Sequence, residues 1–129
     1  MGLNCARRFT YAAVYPPGTP EPAGRLVVER ADGPARARGL LARPAPAPGH
    51  ALRIDRCRSV HSLGMRYPID VVFLDAGGRV VEVAVLNPWR AVVCRAARDV
   101  LELASGEAAR SGLVPGARIG DCKSSANGG

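Results

Sequence analysis

Residues 69–86 read IDVVFLDAGGRVVEVAVL. The first part, IDVVFLD, is a continuous apolar run broken only by Asp70, the pattern of a strand buried on both faces. Asp75-Ala76-Gly77-Gly78 is a hairpin signal, because consecutive glycines supply the positive φ that tight turns need. RVVEVAVL then returns as the partner strand, and Asn87-Pro88 ends it.

Outward from this hairpin the signals remain those of short strands. On the N-terminal side, HALRI (50–54) alternates apolar and polar residues, and RLVVERA (25–31) is a first strand followed by an Asp32-Gly33 turn. Between them, PARARGLLARP (34–44) has proline at its first position and again at its end, which predicts a short helix, and PAPAPG is a rigid loop. On the C-terminal side AVVCR (91–95) and DVLELA (99–104) are two more strands. Glu107 through Ser111 form one or two helical turns with Gly112 as the stop, and LVPGARIGD closes with a turn and a last strand. Pro16, Pro17, Pro20 and Pro22 with Gly18 and Gly24 predict a loose leader over 1–24, leaving a folded domain over 25–122 and a frayed tail over 123–129. About seven strands with turns every 8–12 residues predict a compact antiparallel β-sandwich or partly closed barrel, jelly-roll-like, with one or two short helices.

Composition agrees with one globular domain. The 129 residues are 47% hydrophobic and only 5% aromatic, so the core is Val, Leu, Ile and Ala. Net charge is +7, and the base is arginine: Lys123 is the single lysine. Arg36, Arg38, Arg43, Arg53, Arg56, Arg58 and Arg66 face one acid, Asp55, between positions 36 and 66. Such a patch suits phosphates, anionic lipid or an acidic partner, or is simply a solvated face; no specific nucleic-acid module accompanies it. No apolar run approaches the ~20 residues of a membrane span, and no apolar stretch follows Arg7 and Arg8 as a signal peptide requires. The expectation is a cytoplasmic protein. Cys5, Cys57, Cys94 and Cys122 contain no C-x-x-C pair, and the inner two read as small buried hydrophobes.

Arg38-Gly39-Leu40-Leu41, the Met65-Arg66 step, PIDVVFLD, Gly78-Arg79-Val80-Val81, and Val100-Leu101-Glu102-Leu103 followed by Gly106, Gly112 and Gly116 together resemble the DUF192 family (COG1430), over roughly residues 25–122. The resemblance implies a compact, mostly β domain bearing short helices, and no assigned biochemical activity. Many members follow a secretion signal. Many also read Phe-Trp-Met-Lys-Asn-Thr before Pro-Leu-Asp. Here Met65 is kept and Arg66 replaces the lysine, while the Trp and Asn have no clear counterparts, so a cleft lined by that segment is altered.

Several constellations compete. Cys57, His61 and Met65 are soft donors that suit copper or zinc, or else a buried cysteine, a hydrogen-bonded histidine and a core methionine. Cys57, Ser59 or Ser62 with His61 and Asp70 could be assembled as a hydrolase on paper, without a nucleophile elbow to support it. Asp70 must face solvent or find a donor, and Arg66 is the local one. Glu82 and Glu102 are expected to face solvent. Trp89 is an exposed anchor or a cover over the sheet edge. No Walker A, GxGxxG, HExxH or EF-hand pattern occurs, which excludes those cofactor classes and implies no cofactor. The expectation is a non-catalytic binding or accessory module. Its site would be the face of His61, Met65, Arg66 and Asp70, with Arg38 and Trp89, and its partner an anionic small molecule or protein segment.

Overall fold

The structure is a computed structural model and describes residues 8–31 and 45–121. Nine strands and one short helix follow in order: β1 (Arg8–Tyr15), β2 (Gly24–Arg30), β3 (His50–Ile54), β4 (Ser59–His61), β5 (Ile69–Leu74), β6 (Val80–Leu86), β7 (Ala91–Val93), β8 (Asp99–Ala104), α1 (Glu107–Arg110) and β9 (Arg118–Asp121). Seven strands form one curled sheet in the order β6-β5-β8-β3-β2-β1-β9, and β4 and β7 form a separate pair. The result is the partly closed barrel the turn spacing predicts.

β5, next to the β6 edge of the sheet, is the most buried strand among the described residues. All six of its residues are buried, which is why its apolar run is unbroken by alternation. It pairs with β6 through the 75–78 turn and with β8 on its other side, both antiparallel. Val72 and Leu74 pack into one core with Leu26, Leu101, Leu103 and Leu113. Ile69, Val71 and Phe73 pack into a second core with Leu52, Val60, Met65, Cys94 and Ala97. The β4–β7 pair covers that second core from outside. Burying a Leu, Val or Phe side chain contributes about 1.5–3 kcal/mol, so this doubly covered strand anchors the domain.

The two edges of the curled sheet meet at one corner. Arg79 bridges Arg118, and the Ile119 N–H donates to the Gly78 carbonyl at 2.9 Å. Gly78 sits at φ 82°, and a Cβ there would lie 2.7 Å from the Ile119 carbonyl oxygen, so only glycine permits the closure.

Four expectations change. First, residues 8–15 of the expected leader are a strand, inserted between β2 and β9. RFTYAAVY has ordinary β-formers, and the prolines that follow occupy the loop joining it to β2. Second, β2 and β3 are parallel, so the sheet is not purely antiparallel. Third, Glu102 is 3% exposed rather than solvent-facing, because β8 lies inside the sheet between β5 and β3 and is covered on both faces. Glu82, on the edge strand β6, is exposed as expected. Fourth, Asp70 is not clamped by Arg66: its carboxylate Oδ2 accepts the Gly106 and Ala108 N–H groups at 3.0 and 2.9 Å, capping the first turn of α1. The helix expected over 34–44 lies outside the described residues.

Candidate functional site: an arginine cleft

The second core leaves two loops side by side at one end of the β4–β7 pair. Residues 55–58 enter β4 and residues 94–98 leave β7. Backbone bonds tie them together: the Cys57 N–H donates to the Arg98 carbonyl and the Cys94 N–H to the Arg58 carbonyl, each at 2.8 Å. The Arg98 N–H donates to the Leu74 carbonyl at 2.7 Å, fixing both loops to the end of β5. Cys57 and Cys94 pack toward the second core, which leaves their arginine neighbours outside.

Asp99 organises the bend. It is 6% exposed, with Oδ2 2.7 Å from Arg53 Nη2 and Oδ1 accepting the Arg56 N–H at 2.9 Å. Arg56 adopts φ 55°, a left-handed conformation that costs a non-glycine residue about 1 kcal/mol or more and persists where its surroundings dictate it. Asp55 is turned away on Arg53, at 3.0 Å, and on Arg30, at 3.6 Å.

What remains is a cleft of about 740 Å³ lined by Arg56, Arg58, Arg95 and Arg98 with Ala76, Ala96 and Ala97. Among the described residues no carboxylate is in its lining. Arg58 is held by its Nε–H on the Ala97 carbonyl at 3.2 Å, which leaves its two terminal nitrogens for a ligand. Arg95 and Arg98 make no ion pair among the described residues. Guanidinium groups are permanently charged, present planar forks of donors and accept nothing, so four of them around small alanines make a surface complementary to phosphate or carboxylate. Arg58, Arg95 and Arg98, which make no ion pair among the described residues, raise the local potential and draw anions in.

The residues singled out by sequence are placed elsewhere. His61 is exposed at the far end of β4, where its Nδ1 accepts the Leu63 N–H at 3.4 Å. Met65 is buried in the second core, and Cys57 is half-buried with its thiol on the Ser59 carbonyl at 3.1 Å. Among the described residues no three His, Cys, Asp or Glu side chains are grouped as metal donors. Asp70 faces α1 and the first core, on the other side of the main sheet from Met65. Arg66 and Trp89 are exposed, and Arg38 lies outside the described residues. Ser62 is fully buried, its hydroxyl donating to the Asn87 carbonyl and accepting the Arg90 N–H, so it is a structural bridge and not an accessible nucleophile. Arg95 and Arg98 were not legible as site residues, because β4 and β7 are three residues each and nothing in so short a pair announces its partner.

Among the described residues no helix is long and apolar enough to cross a membrane. Comparison with known proteins gives consistent relatives. A UPF0127 protein of Pyrococcus horikoshii is 47% identical over 45 residues, 34% of this chain and 39% of that protein. A UPF0127 protein of Pyrococcus furiosus is 56% identical over 32 residues, 25% of this chain and 28% of that protein. The matched stretches thus span well under half the length of these relatives. Two crystal structures share the fold over most of its length. A candidate transcription regulator of Sinorhizobium meliloti has a TM-score of 0.74 at 26% identity, covering 90% of this chain and 95% of its own. A protein of unknown function from Novosphingobium aromaticivorans has a TM-score of 0.69 at 24% identity, covering 87% and 84%. The family model described as "Uncharacterized ACR, COG1430" matches residues 19–120, and with that span the chain belongs to the DUF192 family.

Proposed function

We propose that this protein is a non-catalytic binding module whose arginine cleft takes an anionic ligand. The observation that carries this is the convergence of Arg56, Arg58, Arg95 and Arg98 on one hollow with no acid in its lining among the described residues. Nearby carboxylates are already committed, Asp99 to Arg53 and the Arg56 N–H, Asp55 to Arg53 and Arg30. Backbone bonds fix the two loops that carry these arginines, and the Arg58 guanidinium is held on the Ala97 carbonyl before any ligand arrives, which lowers the ordering cost of binding. His61, Arg66 and Trp89, exposed at the other end of the β4–β7 pair, are the competing face for the same kind of partner.

The Sinorhizobium meliloti relative's name raises DNA as a partner. Sequence reading needs an element that enters a groove and reaches base edges. The one helix among the described residues is four residues long, with its first-turn N–H groups taken by Asp70. That favours recognition of charge over recognition of sequence.

Titration calorimetry with pyrophosphate tests the reading. Replacing Arg95 and Arg98 together by serine removes charged contacts worth about 1.5–3 kcal/mol each, so affinity falls at least roughly tenfold. Arg25→Ser, at an exposed position on β2 outside the cleft, removes charge without removing the site and leaves affinity within about twofold. Equal losses in the two variants would mean diffuse attraction by net charge and no site. Loss with Arg66→Ser instead would move the site to the competing face.

A further inference from the structure

The cleft does not end at its arginines. Ala76, in the turn between β5 and β6, lines it and also lines a second hollow of about 230 Å³ formed with Arg53, Gly77, Gly78, Ile119 and Gly120. The two hollows therefore adjoin across the hairpin tip. In the second, a Cβ at Gly77 would meet only Asp75 Oδ1 at 3.6 Å, so a ligand can approach the backbone there. Arg53 bonds Asp55 through Nε and Asp99 through Nη2, and its Nη1 makes no hydrogen bond among the described residues.

The chemistry of the lining selects the ligand. Arginine side chains only donate, and the Ala97 carbonyl is occupied by Arg58. An acidic peptide brings N–H donors that the guanidinium groups cannot accept, so those donors gain no partner from the arginine side chains. Among the described residues no aromatic ring lines either hollow to stack on a base. Non-bridging phosphoryl oxygens only accept, and they bring negative charge to the guanidinium groups of the cleft. Resting on the reading of the cleft as an anion site, we infer that its ligand is a linear polyphosphate chain. The chain lies across the β5–β6 hairpin tip, with most of its charge among Arg56, Arg58, Arg95 and Arg98 and its end beside Arg53.

The test is calorimetry at fixed ionic strength with pyrophosphate, tripolyphosphate, a longer linear polyphosphate and a glutamate peptide of matched charge. The same series is run on Ala76→Glu and Gly77→Glu. Both positions are exposed, neither glycine nor alanine there has a positive φ, and a Cβ at Gly77 meets only Asp75 Oδ1 at 3.6 Å, so both variants keep the fold. Affinity rises with phosphate chain length and exceeds that of the peptide. Ala76→Glu puts a carboxylate at the border of both hollows and weakens every phosphate by about tenfold or more. Gly77→Glu, which lines only the smaller hollow, leaves pyrophosphate within about twofold and removes the gain with length. If pyrophosphate binds and is lost in the Arg95 and Arg98 variant, but length adds nothing, the peptide binds as well or Gly77→Glu is silent, the extended ligand is wrong and the anion cleft stands. If no anion binds the native protein, both fall.

Discussion

The two ends of the β4–β7 pair are built from similar backbone and finished in opposite ways. Each holds one of the two non-glycine residues with positive φ among the described residues, Arg56 at 55° and Trp89 at 63°. At one end the Asp99 carboxylate takes the Arg56 N–H, and the surrounding guanidinium groups are left pointing into an open cleft. At the other end the Ser62 carbonyl takes the Trp89 N–H at 3.0 Å, and the Ser62 hydroxyl sits between the Asn87 carbonyl and the Arg90 N–H. There a side chain substitutes for the direct bond across a turn, and the polar groups are spent inside the protein. The contrast teaches which strained loop to read as functional. A left-handed residue signals that something holds it; at the first end one carboxylate does the holding and the arginines around it line a cleft.

Four variants test that contrast, in descending order of their effect on stability. Asp99→Ala strips Arg53 of a buried partner and the Arg56 N–H of its acceptor, and costs about 3 kcal/mol in urea unfolding. It also weakens pyrophosphate binding, because the bend that presents Arg56 loosens. Ser62→Ala leaves the Asn87 carbonyl and Arg90 N–H without their bridge and costs about 1–3 kcal/mol, yet pyrophosphate binds as before. A loss of affinity there would mean that the two ends work as one site. Trp89→Gly relieves the positive φ and raises stability by up to about 1 kcal/mol in the same unfolding assay; destabilisation would show that the exposed ring packs in solution. Arg95→Ser with Arg98→Ser changes stability by no more than about 0.5 kcal/mol, since neither side chain has an ion pair to lose, while affinity falls.

Much of the fold was legible in the residues. The unbroken run of β5, the Asp75–Gly78 turn and the alternation of β3 carry local signals strong enough to place a hairpin and a mostly β domain. β1 was hidden by the prolines after it, which mark a loop between strands as readily as they mark disorder. The fate of the acids was not legible. Asp70 and Glu102 sit on neighbouring buried strands, and whether each meets solvent, an arginine or a helix end depends on sheet order, which a sequence pattern does not encode. The basic patch was visible in Arg53, Arg56 and Arg58. Its other half, Arg95 and Arg98, lies about 40 positions along the chain and is joined to it by β-pairing only three residues long.

The most direct test follows the arginine side-chain Nε–H signals of isotopically labelled protein by NMR as pyrophosphate is added. The account predicts shifts at Arg56, Arg58, Arg95 and Arg98 and in the Ala96 and Ala97 amides, with the Trp89 indole and the Arg66 and Arg90 side chains unmoved. Shifts centred on Trp89, His61 and Arg66, or spread evenly over every arginine, would contradict it.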